Sequence, residues 1–431
     1  MGNSSRMVLT IDKIIAPKHE NTNTVTNIYI MDKRHFLFLN IGHFLDHFFI
    51  LIFATAAALS LVTEWQLSYA ELIPYSMAGF IAFGLFSLPS GWLADKWSRE
   101  GMMFVFFIGI GLTSIGVSTA KSPFEIAVWL FAVGIFASIY HPVGLALIAK
   151  GGRNMGMDIA VNGVWGNMGV GFAAFITGIM IDQIGWRSAF WLPGVLSVLI
   201  GVAYFFNQKE NILVKLKEDI IKNSKKINIE NTTNSYEIRN LIFRVSMVVF
   251  FTTAISSIIF QGTTFAIPKI FEERLSGITS SASVLGSLAL FVFAIASFAQ
   301  IIVGKLLDKI GPKKVFLIVA VIQLIFFMLF VGKYNWLALF IALMFMLGAF
   351  GQIPINDYMI GKMAKSDFRA RVYAVRYVIS FAVWVVVVPL ISFVHLNYGF
   401  DYLFYILAIC ALSIFIAVIT LPQKLPTTSN I

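Results

Sequence analysis

Gly91-Trp92-Leu93-Ala94-Asp95-Lys96 recurs 213 residues later as Gly304-Lys305-Leu306-Leu307-Asp308-Lys309. Each copy closes an apolar run of about 20 residues, the length a helix needs to cross a hydrocarbon core of about 30 Å. Other landmarks keep the same offset. Pro142 matches Pro354, 212 residues on. Gly185-Trp186-Arg187-Ser188-Ala189-Phe190-Trp191 matches Gly399-Phe400-Asp401-Tyr402-Leu403-Phe404-Tyr405, 214 residues on. Landmarks in register at the same place in each half indicate a duplicated unit rather than chance.

Working outward, the 431 residues are 58% hydrophobic and 13% charged, against about 25% charged in soluble domains. The apolar residues form twelve runs, at 36–58, 72–94, 102–120, 124–149, 158–181, 188–206, 243–267, 282–306, 314–332, 336–361, 371–394 and 400–420. Internal Pro and Gly do not oppose helix in a membrane. The fold expected is all-α and polytopic, with twelve transmembrane helices in two pseudo-symmetric six-helix bundles. The bundles are 36–206 and 243–420. A polar tail (1–35), a linker (207–242) rich in Lys and Asn, and a short tail (421–431) complete the chain. The linker reads as solvated, with a possible surface helix at 212–221.

The net charge of +10 raises the question of nucleic acid. The distribution answers it. Of the 32 Lys and Arg, 27 fall in the tails, the even-numbered loops and adjoining helix ends, and five (Lys121, Arg187, Lys269, Arg274, Lys333) fall on the other side. Basic residues collect in cytoplasmic loops. Both termini are therefore expected in the cytoplasm, with the chain in the plasma (bacterial inner) membrane and no nucleic-acid partner. The first 35 residues lack an apolar core, so no cleavable signal peptide is expected. The single cysteine, Cys410, makes no internal disulfide.

Polar groups inside the runs recur every third span. Span one holds His43, Asp46 and His47; span four His141; span seven Gln261; span ten Gln352, Asn356 and Asp357. Ionisable groups at membrane depth usually face a cavity. A carboxylate out of water holds its proton more tightly, so Asp46, with His43 and His47, is the proton-coupling candidate, weighed against a fixed hydrogen bond or ion pair. Tyr140, His141, Asn162, Asn167, Gln261, Gln352 and Asn356 are the substrate-cavity candidates, weighed against satisfied packing. His43 and His47, four apart, share a face. With Asp46 and His141 they have ligands for a metal, but hydrogen-bonding histidines are the commoner case, and neither metal nor cofactor is expected. Asp357 and Arg376 lie at matching depths in spans ten and eleven and pair as a gate or a brace. The glycines of span five (Gly163, Gly166, Gly169, Gly171) permit close helix contact, with Gly166 and Gly169 also candidates for a sliding interface between halves. Trp65, Tyr69 and Tyr75 read as interface anchors.

The two loops, Gly91 to Arg99 and Gly304 to Lys314, resemble the G-x-L-a-D-r-x-G-r-k loop of the major facilitator superfamily. Gly91, Asp95, Arg99, Gly304, Asp308 and Lys313 match it, while Ser98 and Glu100 depart from it. The resemblance implies secondary transport by alternating access, with six-helix halves around a midplane site. A narrower resemblance, to the fosmidomycin-resistance branch, rests on Gly42-His43-Phe44, Ile139-Tyr140-His141-Pro142, Gly151-Gly152-Arg153 and Trp165-Gly166-Asn167-Met168-Gly169. That branch consists of proton-driven drug exporters. Leu130 stands where many antiporters have Arg, and span five lacks their Gly-Pro motif.

No G-x-x-x-x-G-K-[ST] phosphate loop is present, so an ion or solute gradient must supply the energy. The function expected is proton-coupled movement of a small organic solute, leaning to export of a drug or metabolite, by a monomer in the lipid bilayer. Proton-symport uptake of a metabolite is the alternative, and a transporter-like receptor is the rival from another class. A membrane enzyme is disfavoured because the histidines are dispersed and no nucleophile motif is present.

Overall fold

The structure is a computed structural model and describes residues 32–151, 155–218, 236–363 and 366–423. Among the described residues, twelve helices are long and apolar enough to cross a membrane. They are α1 (Lys33–Glu64), α2 (Tyr69–Lys96), α3 (Arg99–Val117), α4 (Pro123–Ile148), α5 (Met157–Gln183), α6 (Ser188–Ile212), α7 (Phe243–Arg274), α8 (Ala282–Ile310), α9 (Pro312–Phe330), α10 (Asn335–Met363), α11 (Val375–Tyr398) and α12 (Phe400–Ile419). No strand occurs among the described residues. α1–α6 and α7–α12 form the two six-helix bundles.

Local chemistry sets the helix starts. Ser98 begins α3 by accepting from Gly101 N at 3.0 Å, and Ser122 begins α4 by accepting from Glu125 N at 3.2 Å. Both occupy the capping position that such residues favour. Ser68 and Glu71 form a reciprocal capping box ahead of α2. Gly311, at φ 82°, makes the left-handed turn between α8 and α9.

Two helices break at equivalent points. α4 is interrupted at Ser138–Ile139, just before Tyr140-His141-Pro142, and α10 at Gln352, just before Pro354. A proline removes one backbone donor and its ring crowds the preceding turn. The chain compensates with tighter bonds, Ile139 N to Phe136 O at 3.2 Å and Ile355 N to Gln352 O at 3.2 Å.

The segment around 207–242 differs from the linker expected. The helix of α6 continues unbroken to Glu218, and that of α7 begins at Tyr236. Residues 212–218 therefore prolong α6 instead of starting a separate surface helix, and 219–235 lie outside the described residues. So do Gly152 and Arg153 of the motif after span four.

Glycines bring helices to backbone contact. A Cβ on Gly134 would lie 2.1 Å from the Gly79 carbonyl oxygen, so α4 and α2 touch main chain to main chain. Gly178 faces the Ala282 carbonyl (2.2 Å) and Gly286 the Ala174 carbonyl (2.4 Å), which joins α5 to α8 across the two bundles. Gly166 and Gly169 do not take part in that joint. They face His43 and the Phe44 carbonyl of α1, inside their own bundle, because they sit on the opposite side of α5 from Gly171 and Gly178.

Gly134→Val is expected to force the α2–α4 backbones apart and cost about 1–3 kcal/mol. Gly304→Ala, where a Cβ meets nothing within 4 Å, should hold or raise the Tm. Thermal unfolding of the detergent-solubilised chain checks both. Equal Tm values for the two variants would contradict the packing described.

Candidate functional site

A cavity of about 1210 Å³ lies between the bundles. Its wall includes His43, Asp46, His47 and His141 from one half, and Gln261, Gln352, Asn356, Asp357 and Arg376 from the other. It runs down to Lys305, Asp308 and Lys362, at the end of the bundle where the described chain begins and ends. The opposite end is closed. There Ser392 Oγ donates to the Ala70 carbonyl at 2.6 Å. The Asp182 carboxylate accepts from Ser281 Oγ and Ser283 N, both at 2.8 Å. Phe80 stacks on Trp384 at 4.0 Å and Phe83 meets Phe381 at 4.3 Å. Each of these contacts joins one half to the other. Tyr69 belongs to this closure: it is buried, and its ring lies 5.5 Å from His395. Its place between the halves corrects the expectation of an interface anchor.

In the first half, α1 and the broken α4 bring four polar side chains together. Asp46 is 1% exposed, and its Oδ2 lies 3.3 Å from His141 Nε2. The ring centroids of His43, His47 and His141 are separated by 5.0, 5.2 and 5.6 Å. His43 is clamped between the Tyr140 ring, stacked at 4.9 Å, and Gly166, where a Cβ would come within 2.6 Å of Nε2. His43 Nδ1 donates to the Asn162 carbonyl at 2.8 Å.

Tyr140 and Asn162 had been placed in the substrate cavity on sequence grounds. Tyr140 is absent from the cavity wall and fully buried, with its hydroxyl donating to the Leu39 carbonyl at 2.8 Å. The stacked His43 ring stands between it and the cavity. Asn162 reaches the wall, but its side chain is spent on Asn40 Oδ1 at 2.9 Å and on Tyr140. Both are better described as the backing of the histidines. Asn167 lines the cavity.

The second half offers neutral amides. Gln352 Nε2 donates to the Ser256 carbonyl at 3.1 Å, and Gln323 Nε2 to Gln352 Oε1 at 3.0 Å. Gln261 Nε2 donates to the Ser380 carbonyl at 2.6 Å, and Thr252 Oγ1 to Asn356 Oδ1 at 3.0 Å. Arg376 Nη1 lies 3.1 Å from Asp357 Oδ1.

Sequence reasoning missed the aromatic part of the wall. Tyr377 and Phe381 of α11 approach the His141 ring at 5.5 and 5.4 Å, so the half carrying Arg376 touches the half carrying Asp46. Adjacency of Tyr377 to Arg376 was a usable signal. Nothing separated Phe381 or Phe83 from the other Phe residues.

The loop residues are local. Arg99 Nη2 pairs with Asp95 Oδ1 at 2.7 Å, and Gly91 packs against Pro142. Lys313 Nζ donates to the Ile419 carbonyl at 2.7 Å, which caps the end of α12 within its own half. Gly304 and Asp308 line the mouth of the cavity.

Similarity to known proteins follows the same outline. The gallate transporter of Pseudomonas putida is 29% identical over 143 residues, 33% of this chain and 32% of that protein. The multidrug resistance protein MdtG of Yersinia enterocolitica is 26% identical over 283 residues, 61% of this chain and 64% of that one. The matches thus span about one third and just under two thirds of these relatives. Among solved structures, a D-xylose-proton symporter has a TM-score of 0.67 at 14% identity, covering 92% of this chain and 98% of that one. An inward-facing bacterial homologue of the lysosomal transporter Spinster has a TM-score of 0.62 at 13% identity, covering 90% and 94%. The family description Major Facilitator Superfamily matches residues 39–297 and 249–431, so the chain belongs to that family of secondary membrane transporters, which are not enzymes.

Proposed function

We propose that this protein moves a small organic solute across the membrane by alternating access, coupled to protons and directed outward. The observation that carries this is the cavity between two six-helix halves, closed at one end, with Asp46 and His141 paired in its wall. A carboxylate and an imidazole 3.3 Å apart, facing an aqueous path, can take up a proton on one side and release it on the other. The pair lies on α1 and α4, while its aromatic neighbours Tyr377 and Phe381 come from α11. Rocking of the halves therefore changes what surrounds the pair.

The wall favours a solute with a flat or apolar body. Phe83, Tyr377, Phe381 and Trp384 provide aromatic faces, and Gln261, Asn356 and Asn167 provide directional hydrogen bonds. Export is supported by the length of the match to a multidrug resistance protein. Uptake by proton symport is the second reading, favoured by the match to a gallate transporter, gallate being an aromatic acid. Arg376 would then meet the acid's carboxylate in exchange for Asp357.

The excess of Lys and Arg on one side supports cytoplasmic termini in a plasma or bacterial inner membrane, with the mouth at Lys305 and Lys362 opening inward. The unit of transport is one chain, because the cavity is complete within it. Asp357 and Arg376 act as an inner gate that parts and re-forms during the cycle.

Asp46→Asn is expected to abolish accumulation driven by a pH gradient in proteoliposomes while sparing solute counterflow. Accumulation that persists in the variant removes the coupling role. Gly166→Ala should push the His43 ring from its clamp and lower the gradient-driven rate by at least about tenfold, the scale of a small misplacement in a preorganised site. Wild-type flux from that variant would show that the clamp is dispensable.

A further inference from the structure

We propose that His43, His47 and His141 form a three-imidazole site for a divalent transition-metal ion of the zinc type, with its fourth coordination position open to the cavity. Each ring offers a nitrogen, and these nitrogens all lie within 4.8 Å of one another. All three rings line the cavity, so an ion has a route to them.

The hydrogen bonds around the rings already select the tautomers a metal needs. A carbonyl only accepts, so His43 Nδ1, bonded to the Asn162 carbonyl at 2.8 Å, carries the proton of the neutral ring. Its Nε2 holds the lone pair. Asp46 Oδ2 lies 3.3 Å from His141 Nε2, so the carboxylate favours the proton on Nε2 and the lone pair on Nδ1. That Nδ1 is buried and has no hydrogen-bond partner among the described residues. Metal-bound histidines characteristically donate their other N–H to a carboxylate or a backbone carbonyl; His43 does so to the Asn162 carbonyl, and the Asp46 carboxylate stands at ion-pair distance from His141. Asp46 Oδ1 is also buried without a hydrogen-bond partner among the described residues, a cost that a nearby cation relieves. The third ring, His47, is partly exposed and has no hydrogen bond among the described residues.

Zinc holds imidazole nitrogen at about 2.0–2.1 Å, so two ligands on a tetrahedral ion stand about 3.4 Å apart. The three nitrogens must therefore draw in from a spacing of up to 4.8 Å, and His47, with no hydrogen bond among the described residues, is the ring freest to move. Nitrogen donors select zinc, cobalt, nickel or copper over magnesium and calcium, which take oxygen. Three protein ligands and one open position are the arrangement of reactive rather than structural zinc sites. The His141 ring lies 5.5 Å from Tyr377 and 5.4 Å from Phe381 of the other half, and a solute oxygen or water in the cavity can complete the shell.

The inference uses the residues of the transport cycle but not the coupling reading, because binding is measured with no membrane and no gradient. The full chain, carrying no polyhistidine tag, is purified in detergent and dialysed against Co²⁺. One equivalent per chain is expected, with the visible absorption of four-coordinate cobalt, bleached by added Zn²⁺. His47→Ala and His47→Gln should weaken binding by at least about tenfold, and Asp46→Ala by about 10–100-fold. Gel filtration confirms that each variant elutes as the wild type does. Absence of a stoichiometric cobalt band in the wild type overturns the site, whatever the variants do. Undiminished binding in both folded His47 variants overturns it as well. Loss of the metal site leaves proton-driven flux in proteoliposomes to be judged separately, and loss of that flux leaves the cobalt result standing.

Discussion

The two halves meet through bare backbone. Gly178 faces the Ala282 carbonyl and Gly286 the Ala174 carbonyl, so at these two points no side chain fits between α5 and α8. Within a bilayer, lipid tails are as apolar as leucine, so burying apolar surface gains little, and close packing of small residues drives helix association. The other face of the same helix makes the second approach, with Gly166 against His43 and Gly169 against the Phe44 carbonyl. α5 thus fixes α1 on one side and the opposite bundle on the other. The distance between the histidines and the second half is set by one helix with glycines on two faces.

The second seam between the halves is built differently. α2 and α11 meet through broad aromatic contacts, Phe80 on Trp384 and Phe83 on Phe381. Rings can slide and retilt at small cost, since such pairs gain only about 0.5–1.5 kcal/mol beyond burial. Backbone contact on one side and aromatic contact on the other make a hinge with one stiff and one compliant edge. The closing bonds at the far end, such as Ser392 to the Ala70 carbonyl, are single hydrogen bonds, each with a net worth of about 0.5–1.5 kcal/mol. A few such bonds are on the scale that solute binding can offset.

How much of this was legible in the sequence follows from the solvent. Twelve runs of apolar residues announce twelve helices because every backbone group must be satisfied within its own segment. The ionisable residues of α1 were equally legible, since Asp46 at membrane depth has few tolerable places to go. Rotation about the helix axis was not. In water, an apolar stripe marks the buried face. In lipid both faces are apolar, so no periodicity told Tyr140, turned behind His43, from His141, turned into the cavity. The glycines of α5 carry the same ambiguity: close helix contact is legible, but not that Gly166 and Gly169 meet α1 rather than the opposite half. Tyr69 was read as an anchor because aromatic residues near a helix end usually are, and only its packing against His395 across the seam reveals otherwise.

The repeat explains why the two walls of the cavity differ. Pro142 and Pro354 break α4 and α10 at matching points, and each break turns a polar side chain inward. One copy presents His141 to Asp46, and the other presents Gln352 to Gln323 and the Ser256 carbonyl. The device is conformational: a missing donor and a crowded turn loosen the helix at mid-membrane. It does not specify the chemistry. A glutamine network keeps its charge, and its polar atoms are largely taken by neighbours. An imidazole beside a carboxylate changes charge with its surroundings and leaves a buried ring nitrogen without a partner among the described residues. Duplication therefore supplied two equal places for a site, and the residues that came to occupy them made one wall responsive and the other fixed.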